Sequence, residues 1–398
     1  MPSLINLSSL TELAGHSVFL TGHTGFKGSW LAVWLHQLGA RVTGYALKPP
    51  SAPNNFDASH VDALLVRHCE GDVRDLPALA QAMDAADPDV VLHLAAQPIV
   101  RESYTAPRDT FETNFMGTCN VLECVRRRAK PCVVVVVTSD KCYENREQVW
   151  GYCERDAMGG HDPYSASKGA AELLVSSYRR SFFPADKCHR HRVKLASARA
   201  GNVIGGGDWA RDRIVPDIVR HLASQRPVPV RSPQAVRPWQ HVLEPLGGYL
   251  TLAAQMLVSD DPTLCDGWNF GPAIEGDASV RDLVEAFCAA WGQGRWEDQS
   301  DPAHPHEANT LRLSIEKAVT RLNWRPVWTF QETIRRTANW YHEYYTHPQG
   351  GMYRACLRDL AAYLDAAKLA AAAHVRNPHH TPGRFEAGQP IREPSPIP

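Results

Sequence analysis

Tyr164 and Lys168 stand four residues apart in the stretch DPYSASKGAAEL. On a helix that spacing puts both side chains on one face. A phenol ordinarily ionises near ~10, too high for a base at neutral pH, and a nearby ammonium favours the phenolate. Taken alone, the pair reads equally as a helix start, with Asp162 as N-cap, Pro163 in the first turn and a solvated lysine. A glycine-rich turn, TGHTGFKGSW (Thr21 to Trp30), about 140 residues earlier, changes the weighting. A proton-transfer pair downstream of a phosphate-binding turn points to redox chemistry at a hydroxyl or carbonyl carbon.

The elements around the turn are those a dinucleotide needs. Val18-Phe19-Leu20 reads as a short buried strand, and Gly22, Gly25 and Gly28 follow it. Trp30 to Leu35 run at helical spacing, Leu38-Gly39 stops that helix, and Arg41 to Tyr45 read as the next strand. The glycines permit a tight turn and close backbone approach, and the helix N-terminus faces the phosphates. The spacing is GxxGxxG rather than GxGxxG. The carboxylate expected roughly 20 residues past the turn, which would grip the adenosine ribose, is missing. No Asp or Glu occurs between Gly22 and Asp57, and Tyr45, Lys48 and Pro49-Pro50 fill the region. Lys48 leaves a 2′-phosphate open, so the strand does not choose between NAD and NADP.

Five consecutive valines, Val133 to Val137, read as a central parallel strand covered on both faces. Ligands in open α/β sheets bind beyond the carboxyl ends of such strands, where Thr138, Ser139, Asp140 and Lys141 fall.

These stretches carry a family resemblance. With GDVRD, VLHLAAQPIVRESY, VTSDKCYEN, ARAGNVIGGGDWARDRIVPD, VRPWQHVLEPLGGYL and WNFGP, the chain resembles the extended short-chain dehydrogenase/reductases and, among them, the nucleotide-sugar 4,6-dehydratases on their CDP-sugar side. The likeness runs from about residue 14 to 346. It implies an α/β fold: a Rossmann-type, doubly wound parallel sheet with a smaller C-terminal α+β part for the substrate. It also implies NAD as cofactor. Gly22, Thr24, Gly25, Phe26 and Lys27 take the family's phosphate turn, Asp72 and Val73 its adenine contact, and Leu94, Ala95 and Ala96 its strand-end loop. Thr138 falls on the cofactor side. Ser139, Asp140, Tyr164 and Lys168 take catalytic positions, Tyr164 and Lys168 also touching the cofactor.

The reaction so implied converts CDP-glucose to CDP-4-keto-6-deoxyglucose and water. Tyr164 takes the C4 hydroxyl proton, and Asp140 protonates the departing C6 hydroxyl. Related dTDP-glucose enzymes carry a Glu after the Asp, where this chain has Lys141. The identity of the C5 base is therefore open. Lys141 is the candidate, in a neutral form that burial or nearby Lys168 would have to secure.

The second half reads as the sugar-nucleotide side. After a strand at Lys194 to Arg199, the Gly-rich run Ala200 to Trp209 lets backbone approach a ligand, and Asn202 offers hydrogen bonds. Arg213 and Arg237 are the diphosphate candidates, because a guanidinium fork fits phosphate oxygens, and Asn269 is a further candidate by family position. The plain alternative for each arginine is a solvated surface charge.

Composition fits a soluble cytoplasmic enzyme. The chain has 398 residues, 44% hydrophobic and 21% charged, and a net charge of -1 that gives no cue for nucleic acid. No run reaches a membrane span, and the N-terminus lacks the pattern of a secretory signal. Ten scattered cysteines read as reduced thiols. His304, His306, His379 and His380 lack metal-ligand spacing, so no metal is expected.

The expected organisation is a dinucleotide-binding domain over 1–200, to which the chain crosses back later, a nucleotide-sugar part over 201–346, and a C-terminal helix with a Pro-rich tail over 347–398. In that helix Leu357, Leu360, Ala361 and Leu364 share the expected packing face. The resemblance also implies a homodimer, or a dimer of dimers, joined through the helix of Tyr164 and Lys168 and the one around Phe111 to Arg127. Two other readings stand beside the dehydratase. An epimerase or reductase on the same fold is disfavoured by Asp140-Lys141, and a non-catalytic dinucleotide-binding protein is disfavoured by the presence of Tyr164, Lys168 and Asp140.

Overall fold

The computed structural model describes residues 7–273, 277–300, 311–347 and 351–376. Its centre is a seven-stranded parallel sheet made of β1 (Ser17–Thr21), β2 (Arg41–Ala46), β3 (Arg67–Glu70), β4 (Val90–His93), β5 (Cys132–Val137), β6 (Val193–Arg199) and β7 (Gly267–Asn269). The spatial order is β7-β6-β5-β4-β1-β2-β3, so the chain reverses direction across the sheet between β1 and β4. That switch point is where an open α/β sheet leaves a crevice beyond its strand ends. In register, Thr21 of β1 pairs with His93 of β4, and Val137 of β5 with Ala198 of β6.

The all-valine strand behaves as its composition requires. All six residues of β5 are buried. Val134 and Val136 join one core with Phe19, Val91, Val121 and Val175, while Val133, Val135 and Val137 join the other with Trp30, Trp34 and Leu246. Side chains alternate across a strand, so a strand between two cores must be apolar at every position. The helices that cover it are α1 (Phe26–Gln37), α2 (Leu76–Ala86), α3 (Gly117–Arg128), α4 (Pro163–Ser181) and α5 (Leu243–Val258). The N-cap of α4 is Asp162, whose carboxylate accepts from the Ser165 N–H at 2.9 Å, with Pro163 in the first turn.

Because β7 comes from the second half of the chain, the two halves interleave in one sheet. The rest of the second half holds short strand pairs, Val203–Ile204 with Gln240–His241 and Val236–Pro238 with Asp277–Ser279, before the long helices α6 (Phe330–Thr346) and α7 (Tyr353–Arg376). Helix α7 packs against α1, with Trp34 edge-on to Tyr363 at 5.7 Å and Gln37 donating to the Tyr353 hydroxyl at 2.7 Å. Its buried stripe is Cys356, Leu360, Tyr363 and Ala367, and Ala361 is exposed. The Tyr363 hydroxyl donates to buried Glu244 at 2.9 Å, tying the helix to α5. The Pro-rich tail and the four histidines named above lie outside the described residues. The ten cysteines are unpaired, no three metal-ligating side chains gather among the described residues, and no helix there is long and apolar enough to cross a membrane.

Candidate active site

The glycine turn closes over the end of β1 by backbone contact. Gly22 has φ +74, and a Cβ on it would stand 2.7 Å from the Ala95 N. A Cβ on Gly28 would stand 2.1 Å from the Gly22 carbonyl oxygen. Gly25 is the N-cap of α1, and no side chain caps that end. An uncapped helix N-terminus reached by a side-chain-free turn is a fit place for a dinucleotide pyrophosphate. The Thr24 hydroxyl donates to the Leu47 carbonyl at 2.8 Å, fastening the turn to the end of β2. Phe26 lies against Gly205. Asp72 is held by Arg74 in a two-pronged contact at 2.6 and 2.9 Å, and Val73 is buried against Gly117. Lys48 has the Glu70 carboxylate 3.9 Å away, and both side chains are exposed.

The loop after β4 is held by a polar relay that gave no sequence signal. Thr21 Oγ1 accepts from the N–H groups of Leu94 and Ala95, both at 3.1 Å, and so donates to His93 Nδ1 at 2.7 Å. His93 Nε2 then carries the proton and donates to Thr118 Oγ1 at 3.0 Å, which in turn donates to the Asn114 carbonyl. Burial drives His93 down to about 3, with Lys168 acting in the same direction, so the ring stays neutral. Ala96 follows in the same loop. Asn114, in a π-helical turn at Glu112–Met116, ties the Gln97 backbone to Ser167 of α4. An asparagine inside an otherwise helical run was the available cue for it.

Beyond β5 the catalytic candidates converge. Asp140 is buried and accepts from Ser139 Oγ at 2.9 Å, the Lys141 N–H at 3.0 Å and Asn202 Nδ2 at 3.4 Å. Gly201 packs flush on this carboxylate, and a Cβ there would stand 1.9 Å from Asp140 Oδ2. Tyr164 is buried and pushed up to about 12, first by desolvation, with the Ser139 hydroxyl pulling the other way. Burial dominates, and the cation that opposes it at Tyr164 is Arg213 rather than the expected Lys168. The Lys168 ammonium instead turns to the Val137 carbonyl at 3.5 Å. Burial pulls Lys168 down to about 8. Lys27 also falls to about 8, by burial first and then by the fields of Arg213 and Lys168, with Asp140 opposing. Arg213 holds Asp208 at 2.8 Å, and its charge reaches both Tyr164 and Lys27. The structure therefore gathers Lys27, Ser139, Asp140, Tyr164, Lys168, Asn202 and Arg213 around one crevice.

Three expectations need correction. Lys141 is exposed, so burial does not secure its neutral form. The Thr138 hydroxyl turns under the sheet and donates to Glu172 rather than toward the cofactor. Asn269 is fully buried, its Nδ2 donating to the Tyr152 and Ser314 carbonyls and its Oδ1 accepting from Tyr143. No part of that amide is left for a sugar or phosphate, and it serves instead to hold the loop around Tyr143 and Tyr152. Arg237, the other diphosphate candidate, is half-buried on the strand Val236–Pro238, opposite Ala278, and donates to the Val236 carbonyl at 2.9 Å.

The chain is similar to known nucleotide-sugar enzymes. The family model described as GDP-mannose 4,6 dehydratase matches residues 19–337. The chain is 48% identical over 327 residues to the CDP-glucose 4,6-dehydratase of Salmonella typhimurium, covering 82% of this chain and 90% of that one. It is 30% identical to a dTDP-glucose 4,6-dehydratase of Streptomyces antibioticus, over 82% and 92% of the two chains. Among solved structures, the UDP-glucose 4-epimerase of Thermus thermophilus in complex with NAD superposes with a TM-score of 0.68 at 26% identity, covering 81% of this chain and 98% of that one.

Proposed function

The chain belongs to the GDP-mannose 4,6 dehydratase family, one of nucleotide-sugar 4,6-dehydratases, and from that premise we propose that it converts CDP-glucose to CDP-4-keto-6-deoxyglucose and water with NAD as cofactor. One observation carries the reading: Tyr164, Ser139, Asp140 and Lys168 meet at the end of the central strand, beside the glycine turn, in a chain 48% identical to a CDP-glucose 4,6-dehydratase.

Gly22, Gly25, Phe26, Lys27 and the 94–96 loop would hold NAD, with its pyrophosphate at the N-terminus of α1. When bound, NAD would take hydride from C4 of the sugar and return it to C6. Tyr164 acts as the phenolate, which the Ser139 hydroxyl and the Arg213 charge favour against burial, and accepts the C4 hydroxyl proton, with Lys168 a further positive charge on the same helix face. Asp140, fixed by Ser139, Lys141 N–H and Asn202, gives a proton to the departing C6 hydroxyl. Lys141, exposed next to Asp140, is the candidate that takes the C5 proton. Arg213 and Arg237 are the cations offered to the substrate diphosphate.

We also assign a homodimer. Phe111, Met116 and Leu173, at 38%, 45% and 61% exposure, lie on α4 and on the helical run from Pro107 to Arg128, an apolar face suited to a second copy. A cytoplasmic location accords with ten unpaired cysteines. The test is incubation with CDP-, dTDP-, UDP- and GDP-glucose and NAD, followed by mass spectrometry. Loss of one water from CDP-glucose, without net accumulation of NADH, is expected. Water loss only from another nucleotide-sugar would overturn the nucleotide assignment, and no water loss from any of them the reaction.

A further inference from the structure

Glu172 is a buried charge that the proposed chemistry leaves unused. It follows Lys168 by four residues on α4, so the two share a face, and they are 3% and 5% exposed. Its carboxylate accepts from Ser197 Oγ at 2.7 Å, from Arg199 Nη2 at 2.8 Å and from the Thr138 hydroxyl. Arg199 is equally buried and also donates to the Tyr143 hydroxyl at 2.6 Å. A buried ion pair is weak evidence for stability, since well-packed apolar side chains of similar volume often serve as well. Its placement is more informative. Thr138 immediately precedes Ser139 and Asp140, and Lys168 lies one helical turn back toward Tyr164. One carboxylate thus joins the strand end that carries the acid to the helix that carries the Tyr–Lys pair.

We propose that Glu172 is a positioning residue for this reaction: it clamps the end of β5 to α4 and keeps the Lys168 ammonium charged beside Tyr164. The inference rests on the function proposed above. Among the groups that act on Lys168, burial is the largest and lowers it, and Glu172 is the largest that opposes it. Cys142 faces Lys168 from the turn after β5, but burial holds its thiol well above the ordinary range, so it stays neutral. Lys27 from α1 and His93 from β4 also lie within electrostatic reach of the ammonium. Burial acts to raise Glu172, but Arg199 from β6 and the hydroxyls of Thr138 and Ser197 outweigh it and keep the carboxylate ionised, and Arg179 of its own helix also lies within electrostatic reach.

The test is Glu172→Gln, read in two ways. Competitive labelling of Lys168 with trace acetic anhydride across pH, quantified by peptide mass spectrometry, needs no substrate. The wild-type midpoint should lie near 8, and the variant's should fall by about one unit. The alkaline limb of kcat/KM for CDP-glucose should move down with it. Because Glu172→Gln leaves Arg199 buried without its partner, the double variant Glu172→Gln/Arg199→Gln is measured beside it. Its Lys168 midpoint should also fall, since the opposing influence on Lys168 comes from Glu172. A folded variant with an unmoved midpoint overturns the proposal, as does a wild-type midpoint in the ordinary lysine range. Wild-type protein that labels as expected but does not turn over CDP-glucose would instead overturn the reaction.

Discussion

Replacing Gly201 by alanine tests the placement of the acid with the smallest possible change. The φ of Gly201 lies outside the left-handed region, so alanine fits the backbone, and the three atoms nearest the new methyl group all belong to the Asp140 carboxylate. Its Cβ would stand 1.9 Å from Oδ2, 2.0 Å from Cγ and 2.3 Å from Oδ1, whereas real Cβ atoms essentially never come within 3.0 Å of another heavy atom. The carboxylate or the loop must therefore retreat by about 1.1 Å or more, and a misplacement of about 1 Å can cost roughly 10²-fold in rate. That retreat also stretches the contacts to Ser139, Lys141 N–H and Asn202. The expected result is a fall in kcat of about 100-fold, equal to about 2.7 kcal/mol of barrier, with KM little changed. Quenched-flow assay of water loss, alongside thermal unfolding, reads both rate and fold. A variant of normal stability whose kcat stays within about twofold of wild type would refute the claim that Asp140 is held in a working position.

Lys141→Met should abolish exchange of the C5 hydrogen with deuterated solvent and slow water loss by about 100-fold or more, as removal of a general base does; persistent C5 exchange would remove Lys141 from that role. His93, held down near 3 by burial, stays neutral in the fold while the unfolded chain takes a proton near 6.5. Stability is therefore lost as pH falls below about 6.5, at about 1.4 kcal/mol per pH unit for this one group. His93→Gln should flatten the acid limb of urea-unfolding free energy by that slope, and parallel limbs would contradict the neutral relay. Leu173→Glu, placing a charge on the exposed face of α4, should convert a dimer to monomer in light scattering; an unchanged mass would move the interface elsewhere.

The parts legible in the sequence are those whose signal is local. The glycine turn, the valine strand and the Asp162-Pro163 start of α4 were readable because turn chemistry, strand burial and capping are set within a few residues. Strand-end position told which end of the sheet Thr138 and Asn269 occupy, but not which way their side chains turn. Thr138 turned under to Glu172, and Asn269 was absorbed by Tyr143, Tyr152 and Ser314. The Glu172–Arg199 pair, the Thr21–His93–Thr118 relay and the seating of Gly201 on Asp140 each join segments distant in the chain. Neither hydrophobic period nor motif spacing encodes such contacts. The exposed position of Lys141 was likewise hidden, because its neighbours in sequence, Asp140 and Cys142, are both buried.

The central claim is an internal hydride transfer from C4 to C6 in CDP-glucose. Incubating the protein and NAD with CDP-glucose deuterated at C4, then locating the label by NMR, tests it most directly. The account predicts deuterium at C6 of a dehydrated 4-keto product, with the cofactor recovered oxidised and unlabelled. Label retained at C4, or accumulated in reduced cofactor without loss of water, would contradict it.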